Sequence, residues 1–150
     1  MDQRRQAAFL ILFICLMLDP RFDVGVCQGT PIESIATTFL TNYFNTFDSS
    51  RANVGPFYHA DAQLTFEGQL FSGPQAIVAK FTSLPFQKIQ HSITTMDSQA
   101  TVDGGITILV VGKIKTDDDP IHGFTQTFHL KQVGDSLLVV NDLFRLILNN

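Results

Sequence analysis

The stretch IVAKFTSLPFQKIQHSI, residues 77–93, changes its hydrophobic period in mid-course. Ile77, Phe81 and Leu84 recur at helical spacing and mark one buried side. Beyond Pro85, Ile89, His91 and Ile93 alternate with Lys88, Gln90 and Ser92 at a period of two, the pattern of a half-buried strand. Proline cannot continue a helix, so the helix ends here and strand structure begins.

Upstream of this switch the periodicity is helical. Ile32, Ile35, Ala36, Phe39, Leu40, Tyr43, Phe44 and Phe47 form the stripe of an amphipathic first helix. Asp48-Ser49-Ser50 offers capping side chains for a short helical stretch over 51–58, interrupted by Gly55-Pro56. Residues 62–66 read as a brief strand. The helix before Pro85 starts at Ser72, whose hydroxyl and Gln75 make a capping box. Downstream, strands are expected over 106–115, 124–131 and 137–148, separated by Asp103-Gly104-Gly105, the turn from Asp117 to Pro120, and Gly134-Asp135. Helices first and a long sheet second predict an α+β fold, about three helices on one face of a strongly bent antiparallel sheet.

Composition narrows the function. The chain has 150 residues, 45 % hydrophobic and 16 % charged, with 14 Phe, which suits one domain with a phenylalanine-rich core. The formal charge of -4 falls beyond residue 29, because Arg4, Arg5 and Arg21 offset Asp2, Asp19 and Asp23. An acidic domain repels phosphate backbones, so nucleic acid is a poor partner and a basic protein a better one. Both cysteines, Cys15 and Cys27, precede residue 30, which removes a disulfide framework or a thiolate metal site from 30–150. His122 and His129 stand seven residues apart and do not suggest a metal site. No cofactor motif is present.

Residues 1–29 read as an N-terminal extension and 30–150 as the domain. Arg4 and Arg5 precede an uncharged run from Ala7 to Leu18, which has the character of a secretory signal peptide. Its twelve residues fall short of the ~20 that span a bilayer, so no stable membrane insertion is expected. A translated upstream extension without structural role is the other reading.

Two segments, SLPFQKIQHSI (83–93) and NDLFRL (141–146), resemble signature stretches of the nuclear transport factor 2 family. FNTFD (44–48), LTFEG (64–68), AIVAK (76–80) and FTQTFHL (124–130) are similar to that family in order and spacing. The resemblance runs from Glu33 to Leu148. It implies a cone of bent sheet and helices around an apolar cavity, with the open sheet face pairing two subunits into a homodimer. It further implies a binding protein that catalyses nothing. The cavity mouth would accept an aromatic side chain from the GDP-bound GTPase Ran, and acids on the rim would pair with nearby basic residues. Position by position, the mouth falls on Phe66 and Glu67, and the other acids on Asp117 and Asp119. Some family members carry tryptophan where Phe66 stands. An aromatic of the first helix that grips phenylalanine-glycine repeats of nucleoporins falls on Ile32, which loses an aromatic pairing of ~0.5–1.5 kcal/mol. Localisation in cytoplasm and nucleus, enriched at the nuclear rim, is implied too.

Each residue also has a plainer reading. The Asp117 to Asp119 acids suit a solvated turn capping backbone amides, and Phe66 an ordinary core side chain. His91 is expected to face inward and support the rim acids. Asp142 is either a pocket carboxylate or a hydrogen-bonded acid near the dimer face. Tyr43, His91 and Asp142 supply the residue types of an isomerase or dehydratase on a related fold. A secreted module for an apolar ligand rests on the N-terminal segment alone.

Overall fold

A computed structural model describes residues 31–147; the extension over 1–29, Cys15, Cys27 and Leu148 lie outside them. Helix α1, Pro31–Ser49, buries Ala36, Phe39, Leu40, Tyr43, Phe44 and Phe47, as the stripe predicts. Ile35 departs from it and stays exposed, because the buried face is narrower at the start of the helix. A 3-10 helix, Arg51–Phe57, follows and contains Pro56. The expected caps are absent. Ser50 makes no capping bond, and the Ser49 hydroxyl donates backward to the Asn45 carbonyl at 2.8 Å. The Asp48 carboxylate is committed to His91.

Strand β1 covers Tyr58–Phe66, four residues longer at its start than the sequence suggests. A two-residue turn leads into β2, Gln69–Ser72, which no period in the sequence reveals. Ser72 therefore belongs to a ladder, opposite Gln63, and the capping box does not form. Helix α2, Pro74–Thr82, is capped by Gly73 at φ 80 without a side-chain bond. Pro74 sets the first helical turn because its missing N–H would be unsatisfied there in any case. Four long strands complete the described residues: β3 (Ile89–Ala100), β4 (Ile106–Thr116), β5 (His122–Val133) and β6 (Ser136–Ile147).

The strands form one curved six-stranded sheet in the order β2-β1-β6-β5-β4-β3. It is antiparallel except where β1 pairs parallel with β6. The first strand thereby meets the last, a non-local pairing that local sequence patterns do not encode. Inward residues alternate along β4 (Ile106, Ile108, Val110, Ile114) and β5 (Phe124, Phe128, Leu130). Along β6 the alternation breaks. Leu130 pairs with Val139 and His129 with Asn141, so Val140 is an extra residue that switches the inward parity from Val139 to Asp142 and Phe144. The aromatic core closes around Tyr43, whose ring lies 4.9 Å from Phe128 and 5.4 Å from Phe44.

Gly112 marks a close approach within the sheet. A Cβ there would stand 2.6 Å from both the Phe124 ring and the Ser92 carbonyl, so ring or strand must shift. Gly112→Ala is expected to destabilise the fold by ~1–3 kcal/mol, read as a lower midpoint in thermal unfolding.

Candidate functional site

At one end of the sheet a pocket of about 310 Å³ opens between α1, the segment after α2, and strands β1, β3, β4, β5 and β6. Its wall is aromatic on one side, where Phe66 stacks on Phe144 at 4.7 Å with 5° between the rings. Leu84 and Phe86 face it from residues 83–88, and Ile89 and Ile114 line the sheet side. His91, Asp119 and His122 are its titratable lining groups. A dry cavity of ~150 Å³ admits benzene, so this pocket has room for a phenylalanine side chain.

His91 is held from two directions. Its Nδ1 lies 2.5 Å from Asp48 Oδ1, its backbone N–H donates to Asp48 Oδ2 at 2.9 Å, and Phe44, Phe47 and Phe124 surround the ring. The acid beside it is thus Asp48 at the end of α1. None of the three rim acids of the sequence reading is bonded to it.

Glu67 follows Phe66 in the β1–β2 turn, in the left-handed region at φ 51, with Gly68 at φ 83. Its Oε1 accepts the Leu146 N–H at 2.5 Å, and its Oε2 lies 3.7 Å from Arg145 Nη1. Asp119 lines the pocket and accepts from the Thr116 hydroxyl at 3.4 Å, while Lys115 donates to its carbonyl. Asp117 lies on the far side of residues 83–88, in an open groove of about 680 Å³ with Lys88 and Lys115. Its carboxylate accepts the Lys88 N–H at 2.7 Å and the Gln87 N–H at 3.1 Å. Those amide bonds hold its carboxyl below the usual carboxylate range. The plainer reading of Asp117, a turn carboxylate capping amides, therefore describes its contacts in this chain. Ile32 packs partly buried against the core, some fifteen residues and ~22 Å of helix from Phe47 at the pocket.

Tyr43, His91 and Asp142 do not converge. Asp142 is fully buried away from the pocket and accepts from Tyr58 at 2.7 Å and Gln126 at 2.8 Å. Tyr43 joins this group through the Tyr58 hydroxyl at 2.7 Å. Burial pushes the Asp142 carboxyl up to about 7 against those two hydrogen bonds. Burial likewise raises both tyrosines. The network is a satisfied polar inclusion in the core. Among the described residues, no cluster of three or more His, Cys, Asp or Glu is placed to hold a metal.

Sequence reading missed Phe86, His122 and Phe144 as pocket residues and Asp48 as the partner of His91. The Asp48–His91 contact spans 43 residues and leaves no local pattern. Phe144 was visible only as a strand residue.

A curved sheet wrapped on helices, with a largely apolar socket at one end that Asp119 also lines, defines an α+β protein of the cone-shaped class. Residues 35–146 match the family model described as the nuclear transport factor 2 domain. The nuclear transport factor 2 of Emericella nidulans is 46 % identical over 121 residues, covering 78 % of this chain and 96 % of that protein. The probable nuclear transport factor 2 of Caenorhabditis elegans is 42 % identical over 125 residues, covering 79 % and 94 %. The solved structure of nuclear transport factor 2 from Cryptosporidium parvum superposes with a TM-score of 0.74 at 36 % identity, covering 77 % of this chain and 94 % of that one. The chain belongs to the nuclear transport factor 2 family, and its role is that of a nuclear transport factor.

Proposed function

We propose that the pocket seats an aromatic side chain of Ran in its GDP form, with Glu67 and Asp119 on the lip engaging basic groups of the same partner. The observation that carries this reading is the convergence of Phe66, His91 and Asp119 on one pocket of about 310 Å³, with Glu67 directly after Phe66 in the chain. A buried aromatic anchor supplies affinity, and surrounding carboxylates steer a cationic partner. Glu67 adds a sign of its own. The turn it occupies favours Asn-Gly or Asp-Gly, and a glutamate held at φ 51 gives up local stability, as residues at functional sites do. Asp117 serves the same face from behind residues 83–88. Binding without catalysis accords with the relatives above, which are named as transport factors. Pull-down with Ran loaded with GDP or GTP tests the reading: selective retention of the GDP form is expected, and equal retention or none overturns it.

A homodimer and contact with phenylalanine-glycine repeats belong to the same proposal. Leu109, Thr127 and Leu143 stand side by side on the outer face of three neighbouring strands, and Leu109 and Leu143 are exposed. Two exposed leucines flanking a threonine on the outer sheet face suit a partner surface. The chain is expected to sediment as a dimer at micromolar concentration, and Leu143→Glu as a monomer with its fold retained. For the repeats, Ile32 offers apolar area without an aromatic ring, so weak binding is expected there. Residues 30–150 form the functional unit in cytoplasm and nucleus, concentrated at the nuclear rim. A C-terminal fluorescent fusion, read with N-terminal peptide mapping, tests that placement against a secretory role for 1–29.

A further inference from the structure

Residues 83–88 run from α2 to β3 without helix or strand, yet Leu84 and Phe86 supply one wall of the pocket. Backbone outside helix and sheet must find its hydrogen-bond partners elsewhere. Here two charged side chains provide them. On one side the Arg51 Nη2 donates to the Phe86 carbonyl at 2.8 Å, and the guanidinium carbon stands 4.4 Å from the centroid of the Phe86 ring. On the other, the Asp117 carboxylate takes the N–H groups of Gln87 and Lys88, while the Asp117 N–H donates to the Lys88 carbonyl at 3.1 Å. Arg51 itself does not line the pocket. It lies behind the wall, in a part-buried bond that only a planar fork can make while also stacking on a ring.

We propose that Arg51 is a positioning residue for the binding pocket: by holding the carbonyl and the ring of Phe86 together it fixes the wall against which the partner's aromatic side chain packs. This deepens the Ran reading, on which it rests for the identity of the partner. The clamp gives the pocket a shape set by intramolecular charge and draws on neither Glu67 nor Asp119. Loss of Arg51 therefore weakens the fit of the ring and leaves the electrostatic attraction at the lip in place.

The test uses the full chain with Arg51→Gln and Arg51→Lys, titrated calorimetrically with Ran-GDP at low and high salt. Amide hydrogen exchange of residues 84–88 is followed in the free proteins, and Glu67→Lys serves as a control. Arg51→Gln is expected to weaken binding roughly tenfold, from loss of a charge-assisted hydrogen bond behind the wall. Its salt dependence should match the parent's, because no charge leaves the interface. Exchange at Gln87 and Lys88 should accelerate while the sheet stays protected, and Arg51→Lys should recover part of the affinity. Unchanged exchange in Arg51→Gln overturns the clamp whatever Ran does. Faster exchange with parental affinity, while Glu67→Lys fails to bind, overturns the positioning role. An altered salt dependence makes Arg51 a direct contact and overturns it as well. Parental affinity in both Arg51→Gln and Glu67→Lys removes the Ran reading, and the role of the wall falls with it.

Discussion

Glu67→Lys is expected to reduce affinity for Ran-GDP by at least ~100-fold, because Glu67 becomes buried against the partner, where truncating one member of a hydrogen-bonded charge pair costs ~2–5 kcal/mol and reversal adds repulsion. The fold should survive, since Glu67 sits in a two-residue turn and its carboxylate makes one backbone hydrogen bond, to the Leu146 N–H. Loss of that bond costs ~1 kcal/mol. Glu67→Gln separates the two roles. Its amide oxygen still accepts from Leu146 while the charge is gone, so it should bind with intermediate affinity and unfold at the parental temperature. Titration and thermal unfolding run side by side give the answer, and a Glu67→Lys protein that binds Ran-GDP as the parent does would refute the placement of Glu67 on the lip.

Stability is expected to fall as pH rises from about 4 to 7, and Asp142 is the reason. The folded protein holds this carboxyl at about 7, above its ordinary 3.8, so between those values the folded state binds a proton that the unfolded state has released. The slope of stability against pH is then negative. Above pH 7 both states have lost the proton, and the accumulated cost is on the order of 4 kcal/mol. Below the ordinary carboxylate range both are protonated and the effect vanishes. Asp103 and Asp117, whose carboxyls are held low by hydrogen bonds, act with the opposite sign and only in that acid range. Asp142→Asn keeps an acceptor for Gln126 and should flatten the profile, becoming more stable than the parent at pH 8 in urea titrations. A parent profile flat from pH 5 to pH 8 would contradict the assignment.

Periodic and bulky patterns made most of the architecture legible in the sequence. The Phe39, Tyr43, Phe47 stripe identified α1, and the change of period at Pro85 separated helix from sheet. Legibility failed where two local rules competed or where the chain paired with itself at long range. Ser72 and Gln75 satisfied a capping pattern, but Gly73 and Pro74 set the helix start through backbone conformation and left Ser72 to a strand. Val140 shifted the parity of β6, which placed Asp142 inside by a route that strict alternation did not reveal. At the site, Phe66 and Asp119 reached the pocket together with His91. Arg51, Asp48 and Phe86 carry their roles through contacts 35 to 43 residues apart in the chain, beyond any local pattern.

The chain has no tryptophan and two tyrosines, and Tyr43 and Tyr58 share one hydrogen bond beside Asp142. Its tyrosine emission therefore comes from a single locus. An excited phenol passes its proton readily to a carboxylate that accepts its hydrogen bond, so Tyr58 is dim in the native molecule when Asp142 is ionised. Unfolding releases both rings into water and brightens them. The polar inclusion thus doubles as a built-in optical gauge of the core, responsive to the integrity of the seam where the first strand meets the last.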